Sequence, residues 1–146
     1  AEVCNIFPSR NSIKRIHNVV FLPELEAAER LSLKLAAYGS LGSDGRPMLQ
    51  LSADDLIGRV KDVSEFGFVV PAHIWTPHFS VLGSASSFNS LEECFDDLTG
   101  HIHAVETGLS SSPRRAFQAQ WTADRALLRS WNSCAPCMQV LRCARM

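Results

Sequence analysis

Short apolar segments that follow one another in a fixed order constrain the fold of this 146-residue chain more than any other feature. Residues 16–22 (IHNVVFL) and 66–72 (FGFVVPA) are apolar and β-branched without polar alternation, which is typical of buried strands. Residues 101–106 (HIHAVE) alternate between polar and apolar side chains and predict a third short strand.

Helical patterns separate these strands. One helix is predicted between Pro23 and Gly39, with Leu25, Ala28, Leu31, Leu33 and Leu35 as its apolar stripe. A second begins behind Ser52 as N-cap and buries Leu56, Ile57, Val60 and Val63, and a third covers residues 91–98. This order predicts an α/β fold with parallel strands, in which the loops after the strands hold the chemistry.

Composition places the chain among globular proteins of one domain. Apolar residues make up 46% and charged residues 20%, which excludes wholesale disorder. A net charge of −1 excludes a strongly basic protein that coats nucleic acid. No stretch approaches the ~20 apolar residues of a membrane span, and no leader-like segment opens the chain. We expect a soluble, cytoplasmic protein without a membrane partner, in a chain that begins inside a longer one.

Charge is divided unevenly along the sequence. Residues 1–113 carry 14 acidic and 8 basic side chains, whereas residues 114–146 carry six arginines and one acid. Three of the five cysteines also lie in the second segment. We therefore divide the chain at residue 113 into an acidic segment, 1–113, and a divergent Arg/Cys-rich segment, 114–146, which we interpret as a basic tail or as frame-shifted or decayed sequence.

Two residues at strand ends carry side chains suited to catalysis or metal binding, and two further residues, His17 and Glu2, are unremarkable by themselves. His73 follows the strand at 66–72, where an imidazole can bind a metal or move a proton; the alternative is a histidine that only hydrogen-bonds at the loop start. Glu106 follows the 101–106 strand and could ligate a metal, act as a base or be a solvated acid. His17 opens the first strand, and Glu2 precedes a short apolar patch.

Other motifs are weaker. His101 and His103 form an H-x-H pair that could share a metal or simply alternate on a surface. Cys134 and Cys137 form a C-x-x-C pair that lacks the second pair of a structural zinc site. The sequence has no phosphate-binding G-x-x-x-x-G-K-[ST] loop, so it encodes no ATP-driven motor.

Four blocks in order carry a more specific signal: PAHIWTPHFS at 71–80, GSASSF at 83–88, SLEECF at 90–95 and ETGLSSSP at 106–113. Together with RIH at 15–17 and SDGRP at 43–47, they resemble the polymerase-and-histidinol-phosphatase (PHP) domain of the endonuclease Q family, from residue 2 to residue 113. This resemblance implies a distorted (β/α)7 barrel with a multinuclear metal site, and a metal-dependent phosphodiester hydrolase that nicks DNA beside deaminated bases.

The resemblance also implies roles for single residues. Glu2, His17 and His73 match metal ligands, and the implied cofactors are zinc or manganese ions, with magnesium as an alternative. Glu106 lies at the rim of the active site or on the DNA path and is the catalytic candidate.

The implied partner is DNA. Trp75, Arg114 and Arg115 are its predicted contacts, the arginines through phosphates. Trp75, Phe79 and Phe88 are expected to form an apolar wall for a base or to pack the long loop.

The chain departs from the family pattern at both ends. The first H-x-H motif would lie upstream of residue 1, and Cys134 and Pro136 stand where the last Asp-x-His motif belongs. Proline cannot ligate a metal through its side chain. We therefore expect a barrel truncated at the N-terminus and divergent at the C-terminus. The alternatives are a non-catalytic remnant or binding module of the same fold, or a small-molecule phosphatase.

Overall fold

The computed structural model describes residues 1–9, 12–42, 45–85 and 88–107. Within these ranges the chain forms a mixed α/β structure built on a four-stranded sheet of order β3-β1-β2-β4. The strands are β1 (Glu2–Ser9), β2 (Ser12–Phe21), β3 (Met48–Leu49) and β4 (Phe68–Pro71). The predicted segment at 114–146, including Arg114 and Arg115, lies outside the described residues.

Pairing in the sheet is mostly antiparallel, whereas the sequence predicted parallel strands. β1 and β2 pair antiparallel with Cys4 opposite His17, and β2 pairs antiparallel with β4, with Asn18 opposite Pro71. Only the short β3 runs parallel to β1. The prediction was wrong because the sequence pattern did not identify β1 as a strand. Asn5 and Pro8 lie in β1, and both residue types are disfavoured in strands.

Two helices cover one face of the sheet. α1 (Leu25–Leu35) buries Ala27, Leu31 and Leu35, while Leu25 and Leu33 are 80% and 79% exposed. The predicted stripe was wrong at those two leucines because neighbours two apart on a helix point about 200° apart. α2 (Ala53–Val63) is as predicted: the Ser52 hydroxyl accepts the Asp55 backbone N–H, and Leu56, Ile57 and Val60 are buried.

The core lies between the helices and the sheet face that carries Val3, Ile16, Val20 and Val69. Two fully buried asparagines join the layers. Nδ2 of Asn18 donates to Oδ1 of Asn5 (2.9 Å), and Nδ2 of Asn5 donates to the carbonyls of Leu51 (3.0 Å) and Ser52 (3.1 Å) at the start of α2. The amides thereby fix the position of α2 relative to β1 and β2.

The segment after β4 is compact and mostly irregular. It contains the short helix α3 (Glu92–Phe95) and a 3₁₀ helix at Asp96–His101, where the sequence predicted one longer helix. Residues 101–106 alternate in burial as predicted but form no strand; Glu106 alone makes a bridge, through backbone bonds to Pro71 and Ile74. Among the described residues, no helix is long and apolar enough to cross a bilayer.

Candidate metal centre

Glu2, His17 and His73 come together at one end of the sheet. Glu2 begins β1, His17 lies in β2, and His73 follows β4 by two residues. Because Cys4 pairs with His17, and Pro71 with Asn18, the strand register brings all three positions to the same end. One ligand atom from each residue lies within 4.8 Å of the others. Among the described residues, no other group of three or more His, Cys, Asp or Glu side chains is arranged to hold a metal.

The two oxygens of the Glu2 carboxylate have different surroundings. Its Oε2 receives the Nε–H of Arg46 at 2.9 Å. Its Oε1 lies 3.3 Å from Nδ1 of His17 and 3.8 Å from Nε2 of His73, yet neither contact has hydrogen-bond geometry. Oε1 is therefore a buried carboxylate oxygen without a hydrogen-bond partner, a costly arrangement unless a cation or proton binds there.

Phe79 holds His17 in place. The two rings stack with centroids 4.8 Å apart, and the His17 backbone N–H donates to the Phe79 carbonyl at 2.9 Å. Burial lowers the pKa of His17, and the neighbouring His73 and Arg46 lower it further against the opposing effect of Glu2. The imidazole is therefore neutral over a wider pH range than an ordinary histidine, which suits a metal ligand.

Thr76 fixes the tautomer of His73. Its Oγ1 lies 2.8 Å from Nδ1 of His73, and also 2.9 Å and 3.2 Å from the carbonyl oxygens of His78 and His73. Because both carbonyl oxygens can only accept, we assign the single hydroxyl proton to a carbonyl. The hydroxyl oxygen then accepts from Nδ1–H, and Nε2 of His73 keeps its lone pair.

In this tautomer Nε2 of His73 directs its lone pair into the cluster, within hydrogen-bond distance of Nδ1 of His17. Nε2 of His73 lies 3.1 Å from Nδ1 of His17. These two nitrogens and Oε1 of Glu2 form a donor set of two imidazoles and one carboxylate, which suits zinc and other transition-metal ions and leaves positions open for water or substrate. The unpartnered carboxylate oxygen and the fixed tautomer both fit a bound divalent cation.

Glu106 contacts His73 through the backbone. Its Oε2 accepts the His73 backbone N–H at 2.8 Å. This bond holds His73 at φ 32°, a conformation that residues other than glycine rarely adopt. Glu106 is not one of the three residues whose ligand atoms converge, and its carboxylate supports the backbone of His73. Its catalytic role stays a prediction.

The predicted aromatic residues separate into two groups. Phe88 is buried and stacks on Phe7, and Trp75 packs against the core with its indole Nε1 buried and without a hydrogen-bond partner. Phe79 is 42% exposed beside His17. Contact of Trp75 with DNA stays a prediction.

His101 and His103 are exposed, and no third ligand residue in the described part of the chain joins them.

Sequence reasoning missed Arg46 and Thr76. Arg46 lies in the loop between α1 and β3, and its position beside Glu2 follows from the pairing of β3 with β1. Thr76 lies three residues after His73, a spacing that could have indicated a local hydrogen bond to the ring.

The chain is similar in sequence to a known protein. The chain is 36% identical over 95 residues to the uncharacterized protein YqxK of Bacillus subtilis (strain 168), an alignment that covers 65% of this chain and 23% of the relative. No family model matches the chain.

A solved structure is also similar. The lesion-specific endonuclease PfuEndoQ from Pyrococcus furiosus superposes with a TM-score of 0.56 at 26% identity, covering 66% of this chain and 23% of that one. The chain thus spans about a quarter of the length of either protein. This likeness supports a relationship to endonuclease Q.

Proposed function

We propose that this chain is the metal-binding part of a phosphodiester hydrolase of the endonuclease Q type, which nicks DNA at deaminated bases. The observation that carries the proposal is the buried Oε1 of Glu2, which has no hydrogen-bond partner and faces nitrogens of His17 and His73. The likeness to a lesion-specific endonuclease supports the choice of DNA as substrate.

Glu2, His17 and His73 would hold the ion. A divalent ion there supplies a more acidic bound water and positive charge beside the leaving oxygen. Arg46 orients the Glu2 carboxylate, and Thr76 keeps the lone pair of His73 on Nε2. Both act through a ligand and are positioning residues.

Several assignments extend this proposal to the rest of the chain. Residues 1–113 form part of a PHP-type barrel, and residues 114–146 are a divergent segment. Trp75, Arg114 and Arg115 contact DNA, and Glu106 works at the rim of the site. The metal is zinc or manganese, with magnesium as the alternative.

A nicking assay tests the proposal. The full chain, loaded with Zn²⁺ or Mn²⁺, is incubated with labelled duplexes that contain one uracil, one hypoxanthine or no lesion, and separately with p-nitrophenyl phosphate. We expect metal-dependent nicks in the two lesion duplexes, lost in His73→Ala and kept in His103→Ala. Hydrolysis of the phosphate monoester alone would instead indicate a small-molecule phosphatase. A metal-loaded chain that cleaves none of these substrates would contradict the proposal and indicate a binding module.

A further inference from the structure

A shallow pocket adjoins the metal centre along β2. It has a volume of about 420 Å³ including its open mouth, and Arg15, His78 and Phe79 are among its lining residues. Phe79 connects it directly to the site, because the same ring stacks on His17. A molecule in the pocket would therefore lie next to whatever is bound at Glu2, His17 and His73.

Arg15 gives the pocket a positive charge. Side chains alternate along β2, so Arg15 projects from the same face as His17. Lys14 also lines the pocket, but its ammonium lies over Phe88. Arg15 is exposed, and its guanidinium has no hydrogen-bond or ion-pair partner among the described residues. No acidic side chain from the described part of the chain lines the pocket, although residues 1–113 carry a net charge of −6.

Phe79 offers a flat apolar surface in the same pocket. The imidazole of His17 covers one face of its ring at an interplanar angle of 18°, and the side chain is still 42% exposed. The backbone of Phe79 has φ 59°, a left-handed conformation that is rare for a bulky residue. Such conformations are costly and persist where the surrounding structure holds them, often at ligand sites. Here the bond from the His17 N–H to the Phe79 carbonyl holds it.

An anion-binding guanidinium beside an exposed aromatic face matches a nucleotide. We infer that the pocket binds one nucleotide of a single DNA strand next to the scissile phosphate, with its base on the free face of Phe79 and a phosphate on Arg15. This inference rests on the proposed function for the identity of the strand. It assigns the pocket a role in binding the substrate, separate from the metal ligands.

Fluorescence anisotropy tests the inference. The full chain is titrated into a fluorescein-labelled 12-nucleotide single-stranded DNA in the presence of EDTA, so that no metal is bound. Arg15→Gln should weaken binding about tenfold and reduce the salt dependence by roughly one phosphate contact. Arg30→Gln is the matched control, because Arg30 is exposed on α1, its guanidinium donates to the Val63 carbonyl, and the same charge is removed. Equal affinities of the Arg15 and Arg30 variants would overturn the inference.

Phe79 variants test the stacking. Phe79→Leu should weaken binding about tenfold, whereas Phe79→Tyr should stay within about twofold of the unmodified chain, since base stacking contributes roughly 1–3 kcal/mol per base. Free dTMP should compete for the pocket and displace the oligonucleotide. Unchanged affinity of Phe79→Leu would also overturn the inference.

Metal titrations of every variant separate this inference from the proposed function. Zinc binding without any effect of Arg15 on DNA affinity would refute the nucleotide pocket and leave the metal site standing. Oligonucleotide binding that depends on Arg15 and Phe79 in a chain that binds no metal would support the pocket and refute the proposed hydrolase.

Discussion

Oγ1 of Thr76 lies 2.8 Å from Nδ1 of His73, while the other ring nitrogen of His73 faces Oε1 of Glu2 at 3.8 Å. One hydroxyl thus decides which nitrogen carries the proton and which can ligate an ion. Partners of this kind are as much a part of a metal site as the ligands, because they fix both the orientation and the protonation of the ring.

Replacement of the Thr76 hydroxyl should therefore weaken metal binding. Thr76→Val removes the acceptor for Nδ1–H, and we expect zinc affinity to fall about 10–100-fold, whereas Thr76→Ser should retain it. Isothermal titration calorimetry measures the affinity, and ¹⁵N chemical shifts of the His73 ring report the tautomer. Equal ring shifts in the Val and Ser variants would show that Thr76 does not set the tautomer.

Glu106 should act on His73 through an acceptor oxygen and not through its charge. The amide oxygen of Glu106→Gln can still accept the His73 backbone N–H, so zinc affinity should stay within about twofold. Glu106→Ala removes the acceptor and should weaken zinc binding about tenfold. If Glu106→Gln lost nicking while it kept zinc, the carboxylate would have a catalytic role in addition to this support.

Gly83 allows the loop after β4 to close on itself. An added Cβ at this position would overlap the carbonyl oxygen of Thr76 and the hydroxyl of Ser80. Gly83→Ala should therefore destabilise the chain by about 2 kcal/mol or more and lower zinc affinity.

Gly58 is the matched control. It lies in α2 with no atom within 4 Å of an added Cβ, so Gly58→Ala should stabilise the chain by up to about 1 kcal/mol. Thermal unfolding compares the two variants. A melting temperature for Gly83→Ala at or above that of the unmodified chain would contradict the close packing of the loop.

The buried asparagine pair should contribute to stability. Asn5→Ala leaves the Leu51 carbonyl and the Asn18 amide without partners in the core, so we expect a loss of about 2–3 kcal/mol. Asn89→Ala is the control, because Asn89 is exposed and its side-chain amide donates to the Glu93 carboxylate; its cost should be under about 1 kcal/mol. Urea denaturation gives both values, and equal values would show that the pair has no special role.

Sequence patterns predicted those helices and strands whose formation depends on residues close together in the chain. The Ser52 cap and the apolar face of α2 follow from the spacing of a few neighbouring residues, and the apolar run at 16–22 lies almost wholly within β2. β1 could not be recognised in the same way, because its stability comes from pairing with β2 along its whole length and compensates for Asn5 and Pro8.

The candidate ligands were predicted by resemblance, and the structure brings them together. The three candidate ligands, Glu2, His17 and His73, lie far apart in the sequence. No local sequence pattern indicates that β1, β2 and the loop after β4 meet. Arg46 and Thr76 were missed because their roles depend on a partner atom and not on their own residue type. Strand register, which is a long-range property, determines the site.

Zinc titration of the chain tests the central claim most directly. The background carries Cys134→Ser, Cys137→Ser and Cys143→Ser, so that the thiols near the C-terminus do not compete for the ion. We predict one zinc site that weakens more than about 100-fold in both His17→Ala and His73→Ala and stays unchanged in His78→Ala, whose side chain is exposed and outside the cluster. Absence of zinc binding, or equal affinity in all three variants, would contradict a metal centre at Glu2, His17 and His73.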